Sequence, residues 1–265
     1  MDDTQSRLPS SKKHYLNTIV LHPFQPSKSY CFYKMNCLTS AHLIIYLIGV
    51  AKKTTRFSIY IERSREQGQV NLIAIELIRI DQLESTILLF ELSLQPEQAT
   101  PLFYLIQLLL MYIFHPKKKC CIWNNDHWKS LQAFVHCAYL TEEILERINV
   151  LELQNHFKIW YNKRFKHHKN CYVSRWYEED SSFCTCPYRP YKHVNEKWTI
   201  YTAMIYIFNE SIDEFHDTHI DTQQDIKNSI VNCLAITKLS MIIELNWTLK
   251  QLQQHKNFHH GIIIG

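Results

Sequence analysis

The clearest pattern in the chain is Arg56-Phe57-Ser58-Ile59-Tyr60-Ile61-Glu62, where Phe57, Ile59 and Ile61 interleave with Ser58, Tyr60 and Glu62. A period of two predicts a strand, with Tyr60 and Glu62 side by side on one face near its end. Val70 to Ile80 alternates more loosely, and Ser85 to Leu92 is a denser apolar run. Polar turns at Gln67-Gly68-Gln69 and Asp81-Gln82-Leu83-Glu84 separate the three. Residues 55–92 therefore predict a three-stranded antiparallel meander.

Helical spacing brackets the meander. Apolar residues from Leu38 to Val50 recur at helical intervals, with Thr39 or Ser40 available as N-cap. Lys52 and Lys53 follow, where the C-terminal dipole favours cations. Pro101 to Phe114 is almost wholly apolar, opened by Thr100 as cap and Pro101 at the first position. Cys120 to Trp123 predicts a short buried fourth strand, and Asp126 an N-cap for a helix carrying Leu131, Phe134, Val135 and Ala138. Ile148 to Leu153 is a candidate fifth strand, and helical spacing returns over Glu196–Ile212 and Asp221–Gln254. The order β-β-β-α-β-α-β predicts an α/β fold, a mixed sheet with helices packed on its faces.

Residues 1–36 read as a polar N-terminal arm broken by Pro9, Pro23 and Pro26, residues 37–254 as the domain, and residues 255–265 as a tail. Within the domain, residues 157–197 differ in kind: Lys, His, Tyr, Trp and Cys crowd together with little periodicity, as in an insertion.

Composition narrows the class. The 265 residues are 46% hydrophobic, enough for a full core, and four Gly and eight Pro exclude collagen-like or low-complexity chains. A net charge of +4 is too mild to require a nucleic-acid partner by itself. Met1 to Gln5 lacks the apolar run of a secretory signal. The runs Ala41–Ala51 and Pro101–Phe114 fall short of the roughly 20 residues that span a bilayer. Nine Cys, an odd number without a small-scaffold framework, suit a reducing interior. The expectation is an intracellular protein of the nucleus or cytoplasm, not secreted, with no transmembrane segment.

Residues 157–197 hold two candidate sites. His167, His168, Cys171, Cys184, Cys186 and His193 supply the thiolate and imidazole donors that structural Zn2+ selects. His167, Cys171, Cys184 and Cys186 form a candidate tetrahedral set, against the plainer reading of small buried cysteines. Lys163, Arg164, Lys166, Lys169, Arg175 and Trp176 interleave cations with rings, which suits a single-stranded nucleic-acid groove. The plainer reading there is a solvated charged face with Trp160 in the core.

In order and spacing these motifs resemble 3′–5′ exonucleases of the DEDD type, in the ribonuclease-H-like superfamily, over roughly residues 40–250. Phe57 to Glu62 sits where that family has Asp-x-Glu closing its first strand. Asn125-Asp126-His127-Trp128-Lys129-Ser130-Leu131 looks like its Gly-Asp-x-x-Lys-x-Leu. Trp198 to Glu214 is similar to its helix ending in Gly-x-x-Leu-Asp-Lys, and Asn228 to Ala235 falls at its Tyr-x-x-x-Asp. The resemblance implies a ribonuclease-H-like mixed sheet, an antiparallel three-strand meander plus two further strands, flanked by helices. It also implies two divalent ions, Mg2+ or Mn2+, held by four acids.

Against that pattern Glu62 and Asp126 are retained, Tyr60 replaces the acid that bridges both ions, and Asn232 replaces the last acid. Asn228 stands at the Tyr that positions the attacking water, four residues before Asn232 on the same helix face. A phenol and an amide are poor partners for a hard cation. The resemblance thus implies a catalytically impaired, exonuclease-like protein that binds single-stranded nucleic acid. Two alternatives stand beside it: an active metal-dependent enzyme using Glu62 and Asp126 with Asp221 or Asp225 substituting, and a non-enzymatic protein-interaction scaffold.

Overall fold

The protein is described by a computed structural model covering residues 21–63, 69–166, 186, 197–212 and 222–259. The meander is present as β3 (Arg56–Arg63), β4 (Val70–Ile78) and β5 (Glu84–Glu91), each antiparallel to the next. On the other side of β3 lie β6 (Lys119–Ile122) and β7 (Asn149–Glu152), both parallel to it. This is the mixed sheet the sequence predicts, a three-strand antiparallel meander plus two further strands, and β3 is where the antiparallel and parallel halves meet.

A sixth strand extends it. β2 (Ser29–Met35), within the stretch read from sequence as an arm, pairs parallel to β5 and gives the order β2-β5-β4-β3-β6-β7. Before it, β1 (His22–Pro23) pairs with the two-residue β8 (Glu210–Ser211).

Strand parity sorts the side chains of β3. Phe57, Ile59 and Ile61 enter one core under α1 (Ala41–Lys53) and α2 (Pro101–Ile113). Ser40 is the N-cap of α1 and Thr100 that of α2; each hydroxyl accepts from the backbone N–H three residues on. Tyr60 points to the opposite face, among residues of α8 (Thr222–Glu244) and of a second aromatic core. That core is built by α6 (Leu153–Arg164) and α7 (Ile200–Phe208), with Phe157, Trp160, Tyr161 and Trp198 buried together.

Several local expectations are corrected. The region after β6 is two short helices, α3 (Asn125–Ser130) and α4 (Gln132–His136), followed by α5 (Glu142–Glu146). The cap of α3 is Asn124, not Asp126: the Asn124 amide oxygen accepts from His127 N at 3.1 Å, leaving Asp126 in the first turn. The helical span 221–254 is broken between α8 and α9 (Leu249–His259) at Asn246, whose φ of 47° is a left-handed stop. Lys158 to Arg164, read as part of an aperiodic insertion, lies on α6.

By length and composition α8 is the one described helix able to cross a bilayer, but 67% of its apolar stretch is buried inside the fold. It crosses the sheet antiparallel to β3. Arg56 Nη2 donates to Ser240 Oγ and Nη1 pairs with Glu244 at 2.6 Å. Further along the strand, Ser58 Oγ meets Thr237 Oγ1 at 2.7 Å, and Cys233 Sγ donates to Ser58 O at 3.3 Å.

Beside this seam, Glu76 is 1% exposed, with Ser85 Oγ donating at 2.7 Å and Thr237 Oγ1 in contact with its other oxygen. Burial pushes the Glu76 carboxyl up to about 7, against the opposing pull of the Thr237 and Ser85 hydrogen bonds. The folded state therefore holds this proton more tightly than the unfolded chain, whose value is near 4.5. The resulting stabilisation is complete below pH 4.5, declines as pH rises toward 7, and is gone above. Its size is on the order of 3 kcal/mol. Glu76→Gln, which keeps the shape without the charge, is expected to raise the urea midpoint at pH 8 and leave it nearly unchanged at pH 4. A midpoint equally affected at both pH values would refute the assignment.

Candidate active site

The carboxyl ends of β3 and β6 open on the same edge of the sheet, at the strand where the connection order reverses. Such a switch point is where open α/β sheets place ligands. The pairing register of β3 on β4 shifts between Glu62 and Arg63, an irregularity that re-aims the strand end. Arg63 reaches across to α3, donating from Nη2 to Ser130 Oγ at 2.6 Å and from Nε at 3.2 Å. Ser130 Oγ in turn donates to Asp126 O at 2.7 Å. Strand end and helix are thereby laced together.

At this end the Tyr60 hydroxyl donates to Glu62 Oε2 at 2.9 Å. The Tyr60 ring meets His127 edge-on, with centroids 5.1 Å apart and an interplanar angle of 86°. It also packs against the second aromatic core and against Ile226, Ile230, Cys233 and Leu234 of α8. Tyr60 is thus half-buried and packed on two sides while its hydroxyl engages the strand's carboxylate. His127 Nδ1 is buried without a hydrogen bond, and burial, aided by Arg63 and opposed by Asp126, pulls the imidazole down to about 4. The ring is neutral at neutral pH and serves as an aromatic wall. Neither His127 nor Arg63 stands out in the sequence; adjacency to Asp126 and Glu62 is the one signal there that points to them.

Asn228 and Asn232 share a helical face as their spacing required. Asn232 Nδ2 donates to Asn228 O at 2.9 Å, and Asn228 Oδ1 accepts from Gln224 Nε2 at 2.8 Å. Cys233, next to Asn232, seats that turn of α8 on Ser58 O and Ala74 O. Asp126 is exposed in the first turn of α3, and Asp225 lies in the first turn of α8. Among the described residues no three His, Cys, Asp or Glu side chains are grouped to hold a metal ion. Of the four DEDD positions, the described residues thus offer Glu62, hydrogen-bonded to a phenol, the exposed Asp126, the Tyr60 phenol and the neutral amide of Asn232, a donor set with two acids where two hard cations are held by four.

The other candidate residues separate from this one. Arg164 Nη2 donates to Asn246 O at 3.0 Å and to Asn246 Oδ1 at 2.9 Å, just beyond the end of α8 that meets Arg56. The exposed Lys163 and Lys166 share that end. The six steps from Arg56 to Glu62 span roughly 20 Å, so this basic cluster and the Tyr60–Glu62 pair lie toward opposite ends of β3. Trp160 is core, its Nε1 donating to Trp247 O at 3.2 Å. Cys186 is buried; His167, Lys169, Cys171, Arg175, Trp176 and Cys184 lie outside the described residues.

The cap assignment is directly checkable. Asn124→Ala should lower stability by about 1 kcal/mol through the lost His127 N contact. Asp126→Asn should move the denaturation midpoint far less; the reverse order would return the cap to Asp126.

No family model matches the chain, and no curated protein matches it significantly in sequence. Among solved structures, the chain is similar to Escherichia coli RNase D, an exoribonuclease involved in structured RNA processing. That likeness has a TM-score of 0.46 at 9% identity and covers 85% of this chain and 49% of that one. It is also similar to Trypanosoma brucei RNase D, with a TM-score of 0.44 at 10% identity, covering 85% of this chain and 72% of that one. The chain spans about half the length of the bacterial structure.

Proposed function

We propose that this chain is an exonuclease-like protein, nuclear or cytoplasmic, that binds single-stranded nucleic acid and does not cut it efficiently. The observation that carries the reading is the 2.9 Å hydrogen bond from the Tyr60 hydroxyl to Glu62. It occupies a carboxylate that a metal-dependent nuclease needs for its ions, at the strand end where the ligand site of such a sheet belongs. Asn232 adds a second position at which an amide stands where the DEDD pattern requires charge.

Binding on this reading rests on cations and rings. Lys163 and Lys166 supply exposed charge, and Lys169, Arg175 and Trp176 follow in sequence. A structural Zn2+ on His167, Cys171, Cys184 and Cys186 would order that stretch. Stoichiometric zinc in the purified protein, lost in Cys184→Ala, is the measurement that supports this part.

The main test uses labelled single-stranded RNA and DNA with Mg2+ or Mn2+. The unmodified protein is expected to bind both strands, more weakly as salt rises, and to leave them intact. Lys163→Glu with Lys166→Glu should weaken binding and reduce the salt slope by about one per lost phosphate contact. Tyr60→Asp with Asn232→Asp is expected to gain metal-dependent cleavage. Robust cleavage by the unmodified protein, abolished by Glu62→Gln, would establish the active-enzyme reading instead. Negligible binding at low salt would leave the scaffold reading.

A further inference from the structure

The outer face of the α1–α2 pair has no role in the sheet-edge site. Both helices precede strands that run parallel, β3 and β6, so they lie side by side in the same direction. Their C-terminal ends are adjacent: Lys52 Nζ sits 4.8 Å from the Tyr112 ring centroid. The inner faces fill the main core, yet the outer faces are also apolar. Ile45, Tyr46, Tyr104, Leu108 and Met111 each leave 39–60% of their surface to solvent. A contiguous apolar face of this kind marks an interaction surface more often than scattered single residues do.

Gly49 lies in the midst of it. This residue is exposed in the interior of α1, and a Cβ placed there would meet no atom within 4 Å. Glycine in a helix interior costs about 1 kcal/mol relative to alanine. Neither a crowded neighbour nor a left-handed backbone explains the choice, since the space is open and α1 is regular. What the missing side chain leaves is a dimple that lets another backbone come close.

Charge selects the occupant. Neither α1 nor α2 contains an Asp or Glu, and one end of the face is marked by Lys52, Lys53 and the exposed Lys117. A second copy of the same face would bring more lysines and no helix-borne acid to meet them. A nucleic acid would find no cations along the apolar middle. We propose that this face docks an acidic amphipathic helix of a partner protein, with Gly49 at the point of closest approach. Apolar residues of that helix lie across Ile45, Tyr46, Leu108 and Met111, and its acids face the lysine end.

The test uses the full chain and a fluorescein-labelled helical peptide of about 21 residues, with Leu at heptad positions a and d and Glu at e and g. Fluorescence anisotropy is expected to show saturable, salt-sensitive binding. Gly49→Leu and Met111→Glu should each weaken it by about ten-fold or more, and Lys52→Glu with Lys53→Glu should weaken it as well. The Gly49→Leu protein should melt no lower than the unmodified one, separating loss of docking from loss of fold; Tyr104→Glu provides the same reading at an exposed side chain. A peptide with Lys in place of Glu should bind at least about ten-fold more weakly. Absent binding, equal binding of the two peptides, or indifference to both Gly49→Leu and Met111→Glu would overturn the proposal. So would self-association in sedimentation that Met111→Glu abolishes, which assigns the face to a second copy.

Discussion

Helix α8 can lie where it does only because a buried ammonium finds a buried carboxylate. Lys238 and Glu210 are 1% and 0% exposed at the side chain, and Nζ lies 2.7 and 2.8 Å from the two carboxylate oxygens. Burial pulls the Lys238 ammonium down and Glu210 holds it up. An unpaired charge in that position would cost several kcal/mol. Lys238 also donates to Gln25 O, and Gln25 N donates back to Glu210 Oε2, so one pair fixes α8, the α7–β8 turn and the chain entering β2. Sliding α8 by one turn would carry Lys238 about 5.4 Å away from that carboxylate and leave both charges buried.

That register dictates everything further up the helix. With Lys238 fixed, Thr237 falls on Ser58 and Glu76, and Cys233 falls on Ser58 O and Ala74 O. Asn232 and Asn228 then stand toward the end of β3 that carries Tyr60 and Glu62. The character of the strand end follows from composition at fixed geometry. A carboxylate at position 60 would repel Glu62 unless a cation lay between them, whereas a phenol donates to it and needs none. The Tyr60–Glu62 hydrogen bond is therefore an arrangement of this strand end that needs no cation.

What could be read from the sequence had local causes. Period-two alternation gave the faces of β3 and hence the side on which Tyr60 and Glu62 sit, and four-residue spacing put Asn228 and Asn232 on one helix face. The features that escaped depend on distant partners. β2 follows two prolines, and its strand character comes from parallel pairing with β5, more than fifty residues away. Asn124, Asn125 and Asp126 are three good caps in succession, so only the backbone reveals that the first is used. α6 hides its buried residues Phe157, Trp160 and Tyr161 among Lys, Asn and Arg, and reads as a charged patch. His127 acquires its neutral imidazole from burial against Tyr60, which no spacing announces.

If the chain binds nucleic acid as proposed, the same distant pairings limit how it can be held. At the Arg56 end, Glu244 pairs with both Arg56 and Lys119, at 2.6 and 2.9 Å, and Arg164 is tied to Asn246. These cations are therefore already engaged, which leaves Lys163 and Lys166 as the exposed charges at the end of α6. Binding through so few phosphates is weak and falls with a shallow salt slope. On the proposed reading, affinity beyond that level comes from Lys169, Arg175 and Trp176, which follow α6 in sequence. The hydrogen-bonded Tyr60–Glu62 pair thus stands toward the opposite end of β3 from the cations that Glu244 and Asn246 hold.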